Sequence, residues 1–214
     1  IPAESPSHLP DHLAGYANEL AAAQKRLGAS AGDLAALLDL IIQKPTTRDQ
    51  LCDLLEKSWG SLQYLRELLK SVENAKTESA EFTEILTFAH KAIETGATLY
   101  FTKLKDALDA AVAHAKKSLV DSTIRGKLAE ANALAYCLER NYDGAAGHYQ
   151  IASELSESNQ DKDSQWRYKS LQASALCDLG RESLDDHKLS EAITLFEAIA
   201  SELTDQTKDS DKWA

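Results

Sequence analysis

One pattern of small and aromatic residues occurs twice in the second half of this chain. Ala145 and Tyr149 in the first copy correspond to Ala192 and Phe196 in the second, an offset of 47 residues, and the segments before them align at an offset of 40. Small residues at helical spacing let two helices approach closely, and a single helical hairpin cannot bury both of its apolar faces. The recurrence therefore predicts helical hairpins that stack on one another.

The composition favours helices throughout the 214 residues. Only 9 residues are Gly and 4 are Pro, and the abundant Ala, Leu, Glu and Lys lose little side-chain freedom in a helix. The alternation of Val, Ile and Thr that is typical of strands is nearly absent. We therefore expect an all-α fold. The predicted helices begin near residues 11, 33, 47, 79 and 99 in the first half, with breaks at Gly60 and Gly96, and cover 122–140, 143–157, 164–180 and 189–203 in the second half, with a loop over 181–188.

The residues of the two copies resemble the positions that define tetratricopeptide (TPR) repeats. The matching positions are Ala133, Tyr136, Ala145, Tyr149 and Ala152 in one unit and Ala173, Leu176, Ala192 and Phe196 in the next. The stretch LGRESLDDHKLSEA is similar to the longer TPR variety of bacterial multi-repeat proteins, and the terminal KWA resembles the opening of a further repeat. The resemblance covers about residues 122–214 and implies a TPR-like α-solenoid of stacked antiparallel helical hairpins.

These patterns divide the chain into two regions. We expect residues 1–120 to form an N-terminal helical region, either a cap or bundle on which the array is built or a set of degenerate repeats. Residues 121–214 would hold the TPR-like repeats, truncated at the start of a further repeat. Because the sequence starts with Ile1-Pro2 and contains no Met, we expect it to be a fragment of a larger protein.

The net charge of −11 narrows the class of partner. From residue 121 onward there are 10 Lys and Arg against 18 Asp and Glu, and an acidic surface repels phosphate backbones and anionic lipid headgroups. We therefore expect a neutral or basic protein or peptide as the partner, and neither nucleic acid nor membrane. No apolar run is long enough to span a bilayer. Three cysteines without a CxxC pair fit a reducing, cytoplasmic location.

No set of residues in the sequence points to a catalytic or metal site. The phosphate-binding GxxxxGK[ST], the dinucleotide-binding GxGxxG, the nucleophile elbow GxSxG and HExxH are all missing from the sequence. His8 and His12 have the spacing with which two imidazoles on a helix share a metal, but Pro10 lies between them. Cys137 and Cys177 occupy equivalent repeat positions, which accept a small, semi-apolar side chain. We therefore predict a non-catalytic protein with no metal and no cofactor.

In TPR proteins, residues on the first helix of each repeat line a concave groove that binds a peptide. Carried over by position, the resemblance implies a peptide-binding groove formed by Lys127, Glu130, Leu134, Arg167, Ser170 and Ser174. The Lys/Asn set with which such repeats clamp the C-terminal carboxylate of chaperones is not matched. The predicted function is a scaffold for protein–protein interaction that binds a peptide or helix of a partner. The alternatives are a regulatory or sensor domain of a larger signalling protein, whose groove holds another domain of the same chain, and an oligomerisation bundle.

Overall fold

The computed structural model describes residues 11–74, 80–94, 98–117 and 121–210, and these ranges contain helices and no strands, which confirms the all-α prediction. A short 3-10 helix, Asp11–Tyr16, precedes the first α-helix. The α-helices are α1 Ala17–Leu27, α2 Ala31–Ile42, α3 Arg48–Glu73, α4 Ala80–Glu94, α5 Thr98–Lys117, α6 Ser122–Leu138, α7 Tyr142–Ser158, α8 Lys162–Ser183 and α9 Asp186–Ser210. Within the described ranges, none of these helices combines the length and the apolar character that crossing a bilayer requires.

The chain divides into two compact units. The first holds the described residues up to Ala111 together with Leu138–Arg140, and the second holds Val112–Cys137 and the described residues from Asn141 onward. The boundary between them therefore falls inside α5. The division predicted from the sequence, after residue 120, lies next to residues 118–120, which are outside the described ranges, and it stays a prediction.

The core of the first unit includes the leucine-rich faces of α2 and α3. Its largest fully buried side chains are Leu34, Leu37, Leu38, Ile41, Leu51, Leu55, Leu62, Leu65 and Leu69. Thr47 and Gln50 form a capping box at the start of α3, since each side chain accepts a hydrogen bond from the other residue's backbone N–H. The predicted break at Gly60 is wrong, because α3 continues to Glu73. A glycine inside a helix costs about 1 kcal/mol, which the buried leucines on both sides of it can offset.

Three turns of one type connect the helices from α6 to α9. Each contains a residue in the left-handed conformation, and the N–H of the following residue bonds the carbonyl five residues back at 2.9–3.0 Å. The left-handed residues are Arg140, Gln160 and Leu184, and the residues that follow them are Asn141, Asp161 and Asp185. This is the hydrogen bond of a Schellman motif, which ends a helix.

The same three polar residues also cap the next helix. The side-chain oxygen of Asn141 accepts from the N–H of Gly144 at 3.2 Å, and that of Asp161 accepts from the N–H of Ser164 at 3.1 Å. Asp185 accepts from the backbone N–H groups of two residues of α9. One residue therefore closes one helix and opens the next, and the connections are short enough that consecutive helices pack side by side in opposite directions.

The turn between α8 and α9 corrects the loop predicted over 181–188. The helix α8 runs to Ser183 and α9 begins at Asp186, so only two residues connect them. The predicted helix end at Gly180 is wrong, because Gly180 lies inside α8. Leu189 packs closely against it, and a Cβ at this position would lie 2.8 Å from Leu189 Cγ. Similarly, α7 begins at Tyr142 with Asn141 as its cap, one residue before the predicted start at residue 143.

Small residues lie at the centre of the second unit. Ala133, Ala145, Ala173 and Ala192, which the repeat alignment places in equivalent pairs, are all fully buried in one hydrophobic cluster. Tyr149 and Tyr168 belong to the same cluster. Gly144 lies against the ring of Tyr136, with no space for a Cβ between them. The small residues identified from the sequence are therefore points of close helix packing.

Two glycines of α7 provide a matched test of this packing. We expect Gly144→Ala to lower the free energy of unfolding by about 1–3 kcal/mol, because the new methyl group would overlap the Tyr136 ring. Gly147→Ala should raise it by up to about 1 kcal/mol, since a Cβ there meets nothing within 4 Å and alanine favours the helix. Urea denaturation followed by circular dichroism measures both changes. Equal effects of the two substitutions would contradict this account.

The turn at Leu184 predicts a stabilising substitution. Leu184 has a φ of 54° and is 89% exposed, so its side chain contributes backbone strain and little packing. We expect Leu184→Gly to raise the free energy of unfolding by about 0.5–1 kcal/mol, as relief of the left-handed strain exceeds the added freedom of the unfolded chain. Leu184→Ala is the control and should match the wild type, because alanine keeps the Cβ. A glycine variant no more stable than the alanine variant would refute the assigned strain.

Candidate functional site

The six residues of the predicted groove differ greatly in exposure. Arg167 and Ser174 are exposed, and Lys127 and Ser170 are half-buried. Glu130 is only 1% exposed and Leu134 only 7% exposed. All six lie in α6 and α8 of the second unit. The first-helix surface, as we call these six residues, therefore has an accessible part, mainly on α8, and a buried part on α6.

Glu130 connects the two helices of this surface. Arg167 donates to both of its carboxylate oxygens, to Oε2 at 3.3 Å and to Oε1 by the shorter bond. The Tyr168 hydroxyl donates to Oε2 at 3.0 Å. The Arg167 guanidinium also lies 5.1 Å from the centre of the Tyr168 ring. Sequence reasoning selected Glu130 and Arg167 as groove residues but did not predict that they pair with each other.

Tyrosine hydroxyls around this carboxylate are kept protonated. Burial raises the pKa of Tyr168 far above its ordinary value of 10.0, and the negative charge and hydrogen bonding of Glu130 raise it further. Burial likewise raises the pKa of Tyr149, and the nearby charge of Glu130 and a hydrogen bond with Cys137 raise it further. A neutral Tyr168 hydroxyl can donate to Glu130. The buried end of the surface is thus a hydrogen-bonded support for the exposed end.

The accessible end of the first-helix surface is polar. Ser170 and Ser174 are four residues apart in α8 and so lie on one side of that helix. Arg167, three residues before Ser170, lies on the same side, and its charge is matched by Glu130. Hydroxyl groups and a guanidinium are suited to hydrogen bonds with the carbonyl and carboxylate oxygens of a peptide.

A groove between α8 and α9 was missed by sequence reasoning. It has a volume of about 400 Å³. Its lining residues are Gln172, Leu176, His187, Ser190, Glu191, Thr194 and Leu195. It was not predicted because His187 was expected in a loop over 181–188, whereas the structure places it in the first turn of α9. Leu176 and Leu195 are the apolar residues of this lining, and the other five are polar.

The other residues singled out in the sequence have structural contacts or lie outside the described part. His8 lies outside the described residues, and nothing is described of the His12 side chain. Cys137 and Cys177 are thiols that pack against the hydrophobic cluster. Outside this set, Trp166 of α8 donates from Nε1 to Glu202 at 2.7 Å. Among the described residues, no three His, Cys, Asp or Glu side chains are grouped as a metal site would require.

Comparisons with known proteins give no relative for this chain. No protein-family model matches it, and no curated protein or solved structure shows significant similarity to it. Its function has to be inferred from its own residues.

The buried carboxylate gives a direct stability prediction. Replacing Glu130 by Gln should lower the free energy of unfolding by about 1–3 kcal/mol, because the amide NH₂ would face the donors of Arg167 or Tyr168. Glu157→Gln, at an exposed position of α7, is the matched control and should change stability by less than about 0.5 kcal/mol. Denaturant unfolding measures both. Similar values for the two variants would show that the Glu130 contacts contribute nothing.

The two buried tyrosines predict a loss of stability in alkali. A group whose folded pKa is raised stabilises the protein fully below its unfolded pKa and loses that contribution as the pH rises. We therefore expect stability to fall above about pH 10, with Tyr149 and Tyr168 ionising only as the second unit unfolds. Ultraviolet absorbance of tyrosinate and circular dichroism, recorded together, should show this coincidence. A Tyr149→Phe/Tyr168→Phe variant should not show this coincidence of ionisation with unfolding. Ionisation of the two tyrosines in the folded wild type would contradict the prediction.

Proposed function

We propose that this chain is a non-catalytic interaction module whose second unit is a TPR-like stack of helical hairpins. The observation that carries the proposal is the use of one turn three times in succession, at Arg140, Gln160 and Leu184. Equal turns between helices that share small, fully buried residues are what a repeat architecture requires. Arrays of this kind present a preformed surface to a peptide or helix, which limits the ordering cost on the receptor's side.

The binding surface we propose is the accessible end of the first-helix surface. Ser170 and Ser174 would bond the backbone of an extended peptide, and Arg167 would bond a carbonyl or carboxylate. Glu130 supports this arrangement from below, since it holds Arg167 against Tyr168.

Charge supports a neutral or basic partner. The chain has a net charge of −11, and anionic partners such as nucleic acid or acidic lipid would be repelled. The proposal includes neither metal nor cofactor. The three cysteines, all among the described residues, are not joined in disulfides, which suits a reducing compartment such as the cytoplasm.

Affinity capture from a lysate of the source organism tests the site. The baits are the wild type, Ser174→Arg and Gln150→Arg. Ser174→Arg puts a bulky cation on the proposed surface, whereas Gln150→Arg adds the same side chain at an exposed position of α7. We expect a protein that the wild type and Gln150→Arg retain and that Ser174→Arg loses by at least about tenfold, the loss that 1.4 kcal/mol of binding energy gives.

The other outcomes decide between the alternatives. Retention by all three baits would place recognition elsewhere on the chain and refute the proposed surface. Retention of nothing by any bait would instead favour a regulatory domain whose groove is filled by another part of its own protein. Circular dichroism of each bait, with wild-type signal required, separates lost binding from lost folding.

A further inference from the structure

The last described helix, α9, has an apolar stripe that no described residue covers. Ile193, Phe196 and Leu203 are 55%, 42% and 43% exposed, and Ala200 between them is exposed as well. Their spacing of three, four and three residues places all four on one side of the helix, as the apolar positions of helix-pairing sequences are. This α9 stripe lies on a different helix from the first-helix surface.

The same side of α7 is buried. The offset of 47 residues that relates the two copies places the α9 stripe on four residues of α7. These are Ala146, Tyr149, Ser153 and Ser156, with exposures of 5%, 3%, 5% and 7%. The helix α7 packs against α8, and Ala146 and Tyr149 share one hydrophobic cluster with Tyr168 and Ala175 of α8. In the first copy, therefore, this side of the helix is an established helix-binding face.

The α9 stripe is better suited to burial than its counterpart. Ile193 and Leu203 stand where α7 has Ala146 and Ser156, and the aromatic position is kept as Phe196. A face that is polar in part is buried in the first copy, whereas a more apolar one is exposed in the second. Exposed, contiguous apolar surface of this kind marks an interaction site.

We propose that the α9 stripe binds an amphipathic helix of a partner protein, one that repeats the apolar face of α8. On α8 that face consists of Tyr168, Leu171 and Ala175, at i, i+3 and i+7. The partner helix would carry aromatic or aliphatic residues at the same spacing. It would also carry a Lys or Arg beside them, because Glu197 is exposed next to the stripe. The site continues the α7–α8 interface by one further helix and does not depend on the first-helix surface.

A labelled peptide with the α8 sequence, residues 161–183, is the probe. Titration of the peptide with the whole chain, followed by fluorescence anisotropy, should give saturable binding. Phe196→Glu should weaken it at least tenfold, since a carboxylate would be buried in the apolar contact. Ala198→Glu is the matched control, exposed on the side of α9 away from the stripe, and should bind as the wild type does. A peptide with Tyr168→Glu and Leu171→Glu should not bind.

Three results would overturn the proposal. One is the absence of saturable binding to the wild type. Another is an equal loss in the Phe196→Glu and Ala198→Glu chains, which would assign the effect to charge alone. The third is a concentration-dependent dimer in light scattering that Phe196→Glu abolishes, which would make a second copy of this chain the occupant. The Ser174→Arg chain should bind the probe normally, so that a failure of this proposal is distinguishable from a failure of the proposed first-helix site.

Discussion

The geometry of the second unit depends on one hydrogen-bonded turn. In that turn a single Asn or Asp donates its N–H to the helix that ends and accepts, through its side chain, from the helix that begins. Because the residue serves both helices, the turn has little freedom to lengthen or rotate. Three such turns place neighbouring helices side by side, and the small residues of these helices form one buried cluster. The strain of a non-glycine left-handed residue is accepted at each of the three.

One of those left-handed residues has a further role in the first unit. Arg140 is 8% exposed, and its guanidinium donates to the Ile41 carbonyl at 3.0 Å and to the Thr46 hydroxyl at 2.7 Å. Ile41 lies in the last turn of α2, where a cation also interacts favourably with the helix dipole. A glycine would relieve the backbone at this position but would remove these bonds. Leu184, with an exposed side chain, has no such compensation.

The sequence predicted the parts of this fold that depend on apolar spacing and capping. The helical periodicity, the helix start near residue 47 and the buried alanines all follow from local patterns, and the structure confirms them. The turns were less predictable, because Gln160 and Leu184 are not the glycines that usually mark a left-handed position. Gly180, which does look like such a mark, is needed for the close approach of Leu189. A glycine in a sequence does not reveal whether conformation or space requires it.

The burial of Glu130 could not be predicted from the sequence. The family resemblance implied that Glu130 and Arg167 share one surface, yet a glutamate is expected by default to be exposed. Burial of a charge is costly unless it is paired and hydrogen-bonded, and Arg167 and Tyr168 together meet that condition. The pair therefore connects α6 to α8 within the second unit, while Ser174 stays exposed and Ser170 half-buried.

The helices α7 and α9 differ in the side that faces away from the preceding helix. Both helices keep a buried alanine on the side toward the preceding helix, Ala145 and Ala192, so their inner contacts are alike. Their outer sides have diverged, with Ser153 and Ser156 in α7 against Ala200 and Leu203 in α9. Serines are tolerated on this side of α7 because the helix that covers it, α8, is connected to α7 by a short turn. The connection lowers the entropic cost of bringing the two helices together. A helix that is not connected by such a turn needs a larger apolar interface to associate. The outer side of α9 is more apolar than that of α7 in this way.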